Sequence, residues 1–168
     1  EKESAQKQFT QLLNGLDLLG DDVGLIFTKP NSDTGGRVLI QMIDEYVKHK
    51  ENAVAFTSLG QLRYLSAMKH VDAVVGNSSS GIYEAPFLKK VTVNIGDRQK
   101  GRLQANSAIN CVPKAEMIYR AIQEAFVKDC SNTENPYGDG HTSPRIIKVL
   151  KQVEDYKKLL KKHFYEIK

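Results

Sequence analysis

Three consecutive serines, Ser78, Ser79 and Ser80, stand between Gly76-Asn77 and Gly81. The apolar run VDAVV precedes them and the helix-forming run IYEAP, with Glu84, follows. A strand that ends in glycine and passes through small hydroxyl residues into a helix leaves free backbone N–H groups at the helix start, where an anion is favoured. One serine suffices to cap a helix. Three of them flanked by glycines exceed that need and point to phosphate or diphosphate binding. The next apolar run, VTVNIG, leads into DRQKGR, so Asp97, Arg98, Lys100 and Arg102 follow a second strand end. Arg98 offers a fork of donors that suits a phosphate; Lys100 and Arg102 read as solvated or structural.

Glu84 reads first as a carboxylate that offsets the positive helix end. It reads second as an acceptor for ribose hydroxyls, a role acidic residues take in nucleotide sites. Asn31 and Asp33 follow an earlier strand at the same edge; Pro-Asn-x-Asp is good turn chemistry, and they rank second as site residues. His49, His70, His141 and His163 show no metal-ligand spacing with cysteines or carboxylates. No Gly-x-Ser-x-Gly elbow, P-loop or GxGxxG fingerprint is present. This argues against a serine hydrolase, a P-loop NTPase and a dinucleotide enzyme.

These groups need a scaffold that delivers several strand ends to one edge, and the pattern supplies it. Helices are expected near Glu3 to Leu19, from Gly36 to Lys48, Gln61 to Lys69, Gly81 to Leu88, Lys114 to Lys128, and from about Arg145. Strands are expected at 23–28, 52–56, 72–75, 91–95 and 108–112. Alternating strands and helices imply parallel βαβ units, a sheet covered on both faces, and ligands beyond the strand ends. The first helix has no strand before it, which suggests a fragment cut just after an upstream strand.

The chain has 168 residues, 40% hydrophobic and 26% charged, a length that suits one domain with a real core. The net charge of +4 owes much to Lys157, Lys158, Lys161 and Lys162. That run reads as a solvated helix face, without the interleaved aromatics of a nucleic-acid platform. Two cysteines, Cys111 and Cys130, set up neither a disulfide framework nor a metal site. No apolar run is long enough for a membrane helix, and the first residues do not resemble a signal peptide. The expectation is a cytoplasmic protein with no nucleic-acid or membrane partner.

GNSSSGIYEAP followed by VTVNIGDRQKGR closely resembles the hydrolysing UDP-N-acetylglucosamine 2-epimerases of sialic-acid and related sugar synthesis. KPNSDTGG resembles that family's Pro-Asn-x-Asp loop, FTSLGQLRYLSAM its uridine-side loop and helix, and YGDGHTSPRIIKVLK its C-terminal signature. The resemblance covers essentially the whole chain but only the C-terminal half of such an enzyme. It implies an α/β Rossmann-like parallel sheet with helices on both faces, the UDP-binding half of a two-domain glycosyltransferase-B architecture. Residues 143–168 would form a C-terminal helix that packs on the absent domain, leaving Ile146, Ile147, Val149, Leu150, Leu159 and Leu160 partly exposed here.

By motif match, Ser78 and Ser79 with the Gly81 turn would bind the diphosphate. Glu84 would accept from the ribose, Arg98 and Asn31 would line the nucleotide site, and Ser58 and Leu59 would lie near the uracil. The reaction implied is elimination of UDP from UDP-N-acetylglucosamine, then hydration to free N-acetylmannosamine. A 2,4-diacetamido-trideoxy sugar remains open. No metal or redox cofactor is implied, and the acid–base residues lie outside this chain, which alone would be inactive. The partners implied are UDP and a UDP-N-acetylhexosamine, with a homo-oligomer for the full-length enzyme. Alternative readings are the donor domain of a glycosyltransferase of the same architecture and a non-catalytic nucleotide-binding module.

Overall fold

The structure is a computed structural model that describes residues 4–30, 35–161 and 164, apart from the Leu159 side chain. Its elements up to residue 136 are α1 (Ala5–Asp17), β1 (Leu25–Thr28), α2 (Gly36–Lys48), β2 (Ala53–Phe56), α3 (Gly60–His70), β3 (Ala73–Gly76), α4 (Ser80–Phe87), β4 (Val91–Ile95), β5 (Ala108–Cys111) and α5 (Ala115–Val127). Each strand and helix expected over this stretch is present, with ends shifted by no more than about two residues.

All strand pairs are parallel. β1 pairs with β2, Leu25 opposite Ala53, and β3-β4-β5 form a second ladder, with Gly76 opposite Asn94 and Asn94 opposite Asn110. Among the described residues β1 and β3 are not hydrogen-bonded to each other, so the strands form a two-stranded and a three-stranded sheet. They nevertheless share a core. Leu25 and Phe27 of β1, and Ala73 and Val75 of β3, pack against one cluster with Val91, Val93 and Ile95.

β4 is the most enclosed strand, buried at every residue. Side chains alternate across a strand. Val91, Val93 and Ile95 join Leu16 of α1 and Ile118, Ile122 and Ala125 of α5 on one face. Thr92 turns the other way and donates through Oγ1 to the Gly81 carbonyl of α4 at 2.9 Å. Helices thus cover both faces, as a near-continuous apolar strand requires. α1 and α5 approach closely at Gly15, where a β-carbon would stand 2.9 Å from the Ala115 carbonyl oxygen and 3.2 Å from Ile118.

Residues from Tyr137 onward form a separate unit. The single helix expected there is two: α6 (Thr142–Lys151) and α7 (Tyr156–Leu160). Asp155 opens the second. Its carboxylate caps α7 by accepting from the Lys157 and Lys158 N–H groups, which a residue inside a continuous helix cannot do. Within this unit Arg145 clasps Asp139 with both guanidinium nitrogens, at 3.0 and 2.7 Å. α6 has no buried residue, and Ile146, Ile147, Val149, Leu150 and Leu160 are exposed.

Candidate functional site

β3 ends at Gly76, whose φ of 146° lies in the region that favours glycine. The chain then turns through Asn77, Ser78 and Ser79 into α4. Ser78 makes the turn. Its hydroxyl accepts from the Ser80 N–H at 3.3 Å and its carbonyl from the Gly81 N–H at 3.2 Å. Ser79 stands at the N-cap with no side-chain capping bond. The N–H groups of Ser78 and Ser79 donate to no other group among the described residues. Two open donors therefore sit at the positive end of a helix, an arrangement suited to an anion.

The three serines divide their work. Ser80 is not a free hydroxyl: the Tyr64 OH of α3 donates to its Oγ at 2.8 Å. Ser78 Oγ is engaged in the turn, and Ser79 Oγ has no partner among the described residues. Gly81 serves packing as much as the turn. α4 lies so close to β4 that a β-carbon at Gly81 would stand 2.5 Å from Thr92 Cγ2.

Glu84 is one helical turn after Ser80, so both lie on one side of α4. It is exposed and makes no side-chain hydrogen bond or ion pair among the described residues. Ser58 and Leu59 follow the end of β2, in the two-stranded sheet. Ser58 Oγ accepts from the Gly60 N–H at 3.2 Å and opens α3, with Leu59 half-buried at the N-cap. The Tyr64–Ser80 bond ties this helix to the serine loop. Asn31 and Asp33 lie outside the described residues.

The loop after β4 is folded by turns from Lys100 N–H to the Asp97 carbonyl and from Arg102 N–H to the Gln99 carbonyl. Arg98 is exposed and unpaired among the described residues, so its guanidinium is available. Gln99 points inward. It is 2% exposed, and its Nε2 donates to the Asn77 carbonyl at 2.7 Å. Gln99 thus joins the Arg98 loop to the serine loop.

A cavity of about 490 Å³ lies beyond the ends of β4 and β5, lined by Asn94, Asp97, Lys100, Arg102, Gln104 and Cys111, among others. A row of amides crosses it: Asn94 Nδ2 donates to Asn110 Oδ1 at 2.7 Å, and Asn110 Nδ2 to Gln104 Oε1 at 2.8 Å. Burial pushes the Cys111 thiol up to about 11, so it stays protonated at neutral pH. Lys100 and Arg102 are exposed, as solvated residues should be, yet they wall this hollow. Ser78, Ser79, Glu84 and Arg98 do not line it.

Sequence reasoning passed over Tyr64 and Gln99, which hold the serine loop from α3 and from the β4 loop. A buried glutamine inside a charged surface loop gives no signal in a single sequence. Among the described residues no group of histidines, cysteines and carboxylates is placed to hold a metal ion, and no helix is long and apolar enough to cross a membrane.

Comparison with known proteins fits this layout. The family described as UDP-N-acetylglucosamine 2-epimerase matches residues 1–151. The chain is similar to the GDP/UDP-N,N'-diacetylbacillosamine 2-epimerase (hydrolyzing) of Campylobacter jejuni, 45% identical over 108 residues, 64% of this chain and 28% of that protein. It is also similar to the UDP-N,N'-diacetylbacillosamine 2-epimerase (hydrolyzing) of Legionella pneumophila, 32% identical over 96% of this chain and 42% of that protein. In fold it matches the UDP-GlcNAc 2-epimerase of Methanocaldococcus jannaschii, crystallised with UDP-GlcNAc and UDP. The TM-score is 0.71 at 18% identity, over 87% of this chain and 41% of that one. The chain spans less than half the length of these proteins. It belongs to the UDP-N-acetylglucosamine 2-epimerase family.

Proposed function

We propose that this member of the UDP-N-acetylglucosamine 2-epimerase family is the nucleotide-binding half of a hydrolysing enzyme that releases UDP and a free 2-epimerised N-acetylhexosamine. The observation that carries the reading is the start of α4. There the Ser78 and Ser79 N–H groups and the Ser79 hydroxyl, which have no partner among the described residues, form one donor surface with the helix end. Arg98 of the neighbouring loop, unpaired among the described residues, adds a cation, and Glu84 on the same helix adds an acceptor for ribose hydroxyls. Ser58 and Leu59 are assigned to the uracil side and Asn31 to the nucleotide site by their match to the family's motifs. The hydrolysing relatives and the nucleotide-bound structure of the same fold support this reading.

In the proposed reaction a base removes the proton at C2 of the sugar. The C1–O bond breaks and its electron pair goes to the β-phosphate oxygen. UDP and a 2-acetamidoglucal result, and water then adds to give the free 2-epimer. Negative charge grows on the diphosphate as the bond breaks. Fixed N–H donors and Arg98 stabilise that charge without reorganising. The base and acid are assigned to the other half of the protein, so the chain alone binds without turning over.

The same reading explains the divided sheet. In the doubly wound strand order the first strand lies in the middle. A strand from upstream of the chain, placed between β1 and β3, would join the two ladders into one six-stranded sheet. The apolar side chains of α6 are assigned to a surface in the other half.

Calorimetric titration of the chain with UDP, with GDP as control, tests the assignment. Selective UDP binding is expected. A folded chain that binds neither nucleotide would overturn the proposal that these residues suffice for nucleotide recognition.

A further inference from the structure

Gln99 presents an imbalance. Its loop exposes Asp97, Arg98 and Lys100, yet its own side chain is almost wholly buried. Nε2 is satisfied by the Asn77 carbonyl at 2.7 Å, while Oε1 is buried and has no hydrogen-bond partner among the described residues. Buried polar atoms are paired, with protein or with ordered water, in nearly all native structures, so such an atom calls for an account. Here it sits at the junction of two loops. Asn77 is the first residue of the turn that presents the open Ser78 and Ser79 N–H groups, and the loop that supplies Gln99 also supplies Arg98.

A single bond to the Asn77 carbonyl fixes the plane of the Asn77–Ser78 peptide. That peptide plane carries the Ser78 N–H, so the bond sets where this donor points. Tyr64 grips the other end of the turn through Ser80 Oγ. The turn is therefore held at both ends, and its donors keep their direction before any ligand arrives.

We infer that Gln99 is a positioning residue for the diphosphate: it aims the Ser78 N–H and locks the Arg98 loop to the serine loop. This rests on the proposed nucleotide reading. Gln99 itself touches no ligand. It lowers the cost of binding by holding the donors in place, the general benefit of preorganisation.

The test compares the wild-type chain with Gln99→Met, which keeps the length and removes both polar atoms. Loss of the orphaned Oε1 offsets loss of the Nε2 bond, so the melting temperature should stay within a few degrees of wild type. UDP and inorganic diphosphate should each bind about tenfold more weakly, while uridine, followed by NMR shifts, binds as before. Undiminished diphosphate affinity would overturn the inference. So would equal losses for uridine and diphosphate, the mark of a merely structural role.

Should Gln99→Met fail to fold, Gln99→Glu decides. Ionised, the introduced carboxyl cannot donate to the Asn77 carbonyl; protonated, it can. Its deficit in UDP affinity relative to wild type should shrink as pH falls through the carboxyl range, and a deficit independent of pH would count against Gln99. A wild-type chain that binds diphosphate but not UDP would sink the nucleotide reading and leave the Gln99 role open to the same diphosphate measurement. One that binds neither would end both.

Discussion

Gly81 of α4 lies against Thr92 of β4 so closely that the Thr92 hydroxyl reaches the Gly81 carbonyl at 2.9 Å, and a β-carbon on Gly81 would stand 2.5 Å from Thr92 Cγ2. The contact sets the height of α4 above the sheet, and with it the position of the helix start that carries the serine donors. Gly81→Ala should cost about 1–3 kcal/mol, the usual range for overpacking. Thr92→Ser removes the obstructing methyl and keeps the hydroxyl. The double variant should therefore recover part of the loss, since the two sites share one contact. Denaturant unfolding of both variants checks this; a double variant no more stable than Gly81→Ala would refute the steric account.

Arg98→Ala should leave the fold intact, because the side chain is exposed and unpaired among the described residues. UDP binding should weaken by about 1.5–3 kcal/mol, the range for a hydrogen bond to a charged group. That is roughly ten- to hundredfold in affinity. Calorimetry on the chain gives the number, and an unchanged affinity would remove Arg98 from the site.

Glu84→Ala separates ribose from phosphate recognition. Binding of uridine nucleotides should fall while binding of inorganic diphosphate stays the same or tightens slightly, since a nearby negative charge has gone. Parallel losses for both ligands would sink the ribose assignment.

Within the C-terminal unit, the paired hydrogen bonds from Arg145 hold the Asp139 carboxyl at about 2, below its ordinary 3.8. The shift is downward, so folding favours the ionised form. Its contribution is complete above about pH 4 and is lost as pH falls through about 2. Arg145→Ala should return the carboxyl most of the way to its ordinary value. A carbon-detected NMR titration of Asp139 reads this directly, and an unshifted midpoint in the variant would rule out the clasp as the cause.

Most of the layered architecture was legible in the chain. Continuous apolar runs such as VTVNI mark strands buried on both sides, and glycine or proline punctuates their ends. The placement of the serines between β3 and α4, and of Arg98 after β4, was legible too, because residue type and apolar runs at strand ends are local patterns. The break between α6 and α7 was not. Asp155 reads in sequence as one more polar residue on a charged helix, and only its backbone geometry makes it a cap. The division of labour among the serines was equally hidden. Ser80 Oγ accepts from the hydroxyl of Tyr64, sixteen residues earlier in the chain.

By itself the sequence determined which segments up to residue 136 become strands and helices, and that hydroxyl and guanidinium residues follow the ends of β3 and β4. Periodicity and residue type act locally, and these are local decisions. The tertiary structure alone decided which donors remain open, that Gln99 turns inward to hold Asn77, that Gly81 must be bare to admit Thr92, and that β1 and β3 share a core without sharing hydrogen bonds. Each of these depends on the approach of atoms far apart in the chain. Such contacts are fixed by packing, and no single-residue preference encodes them.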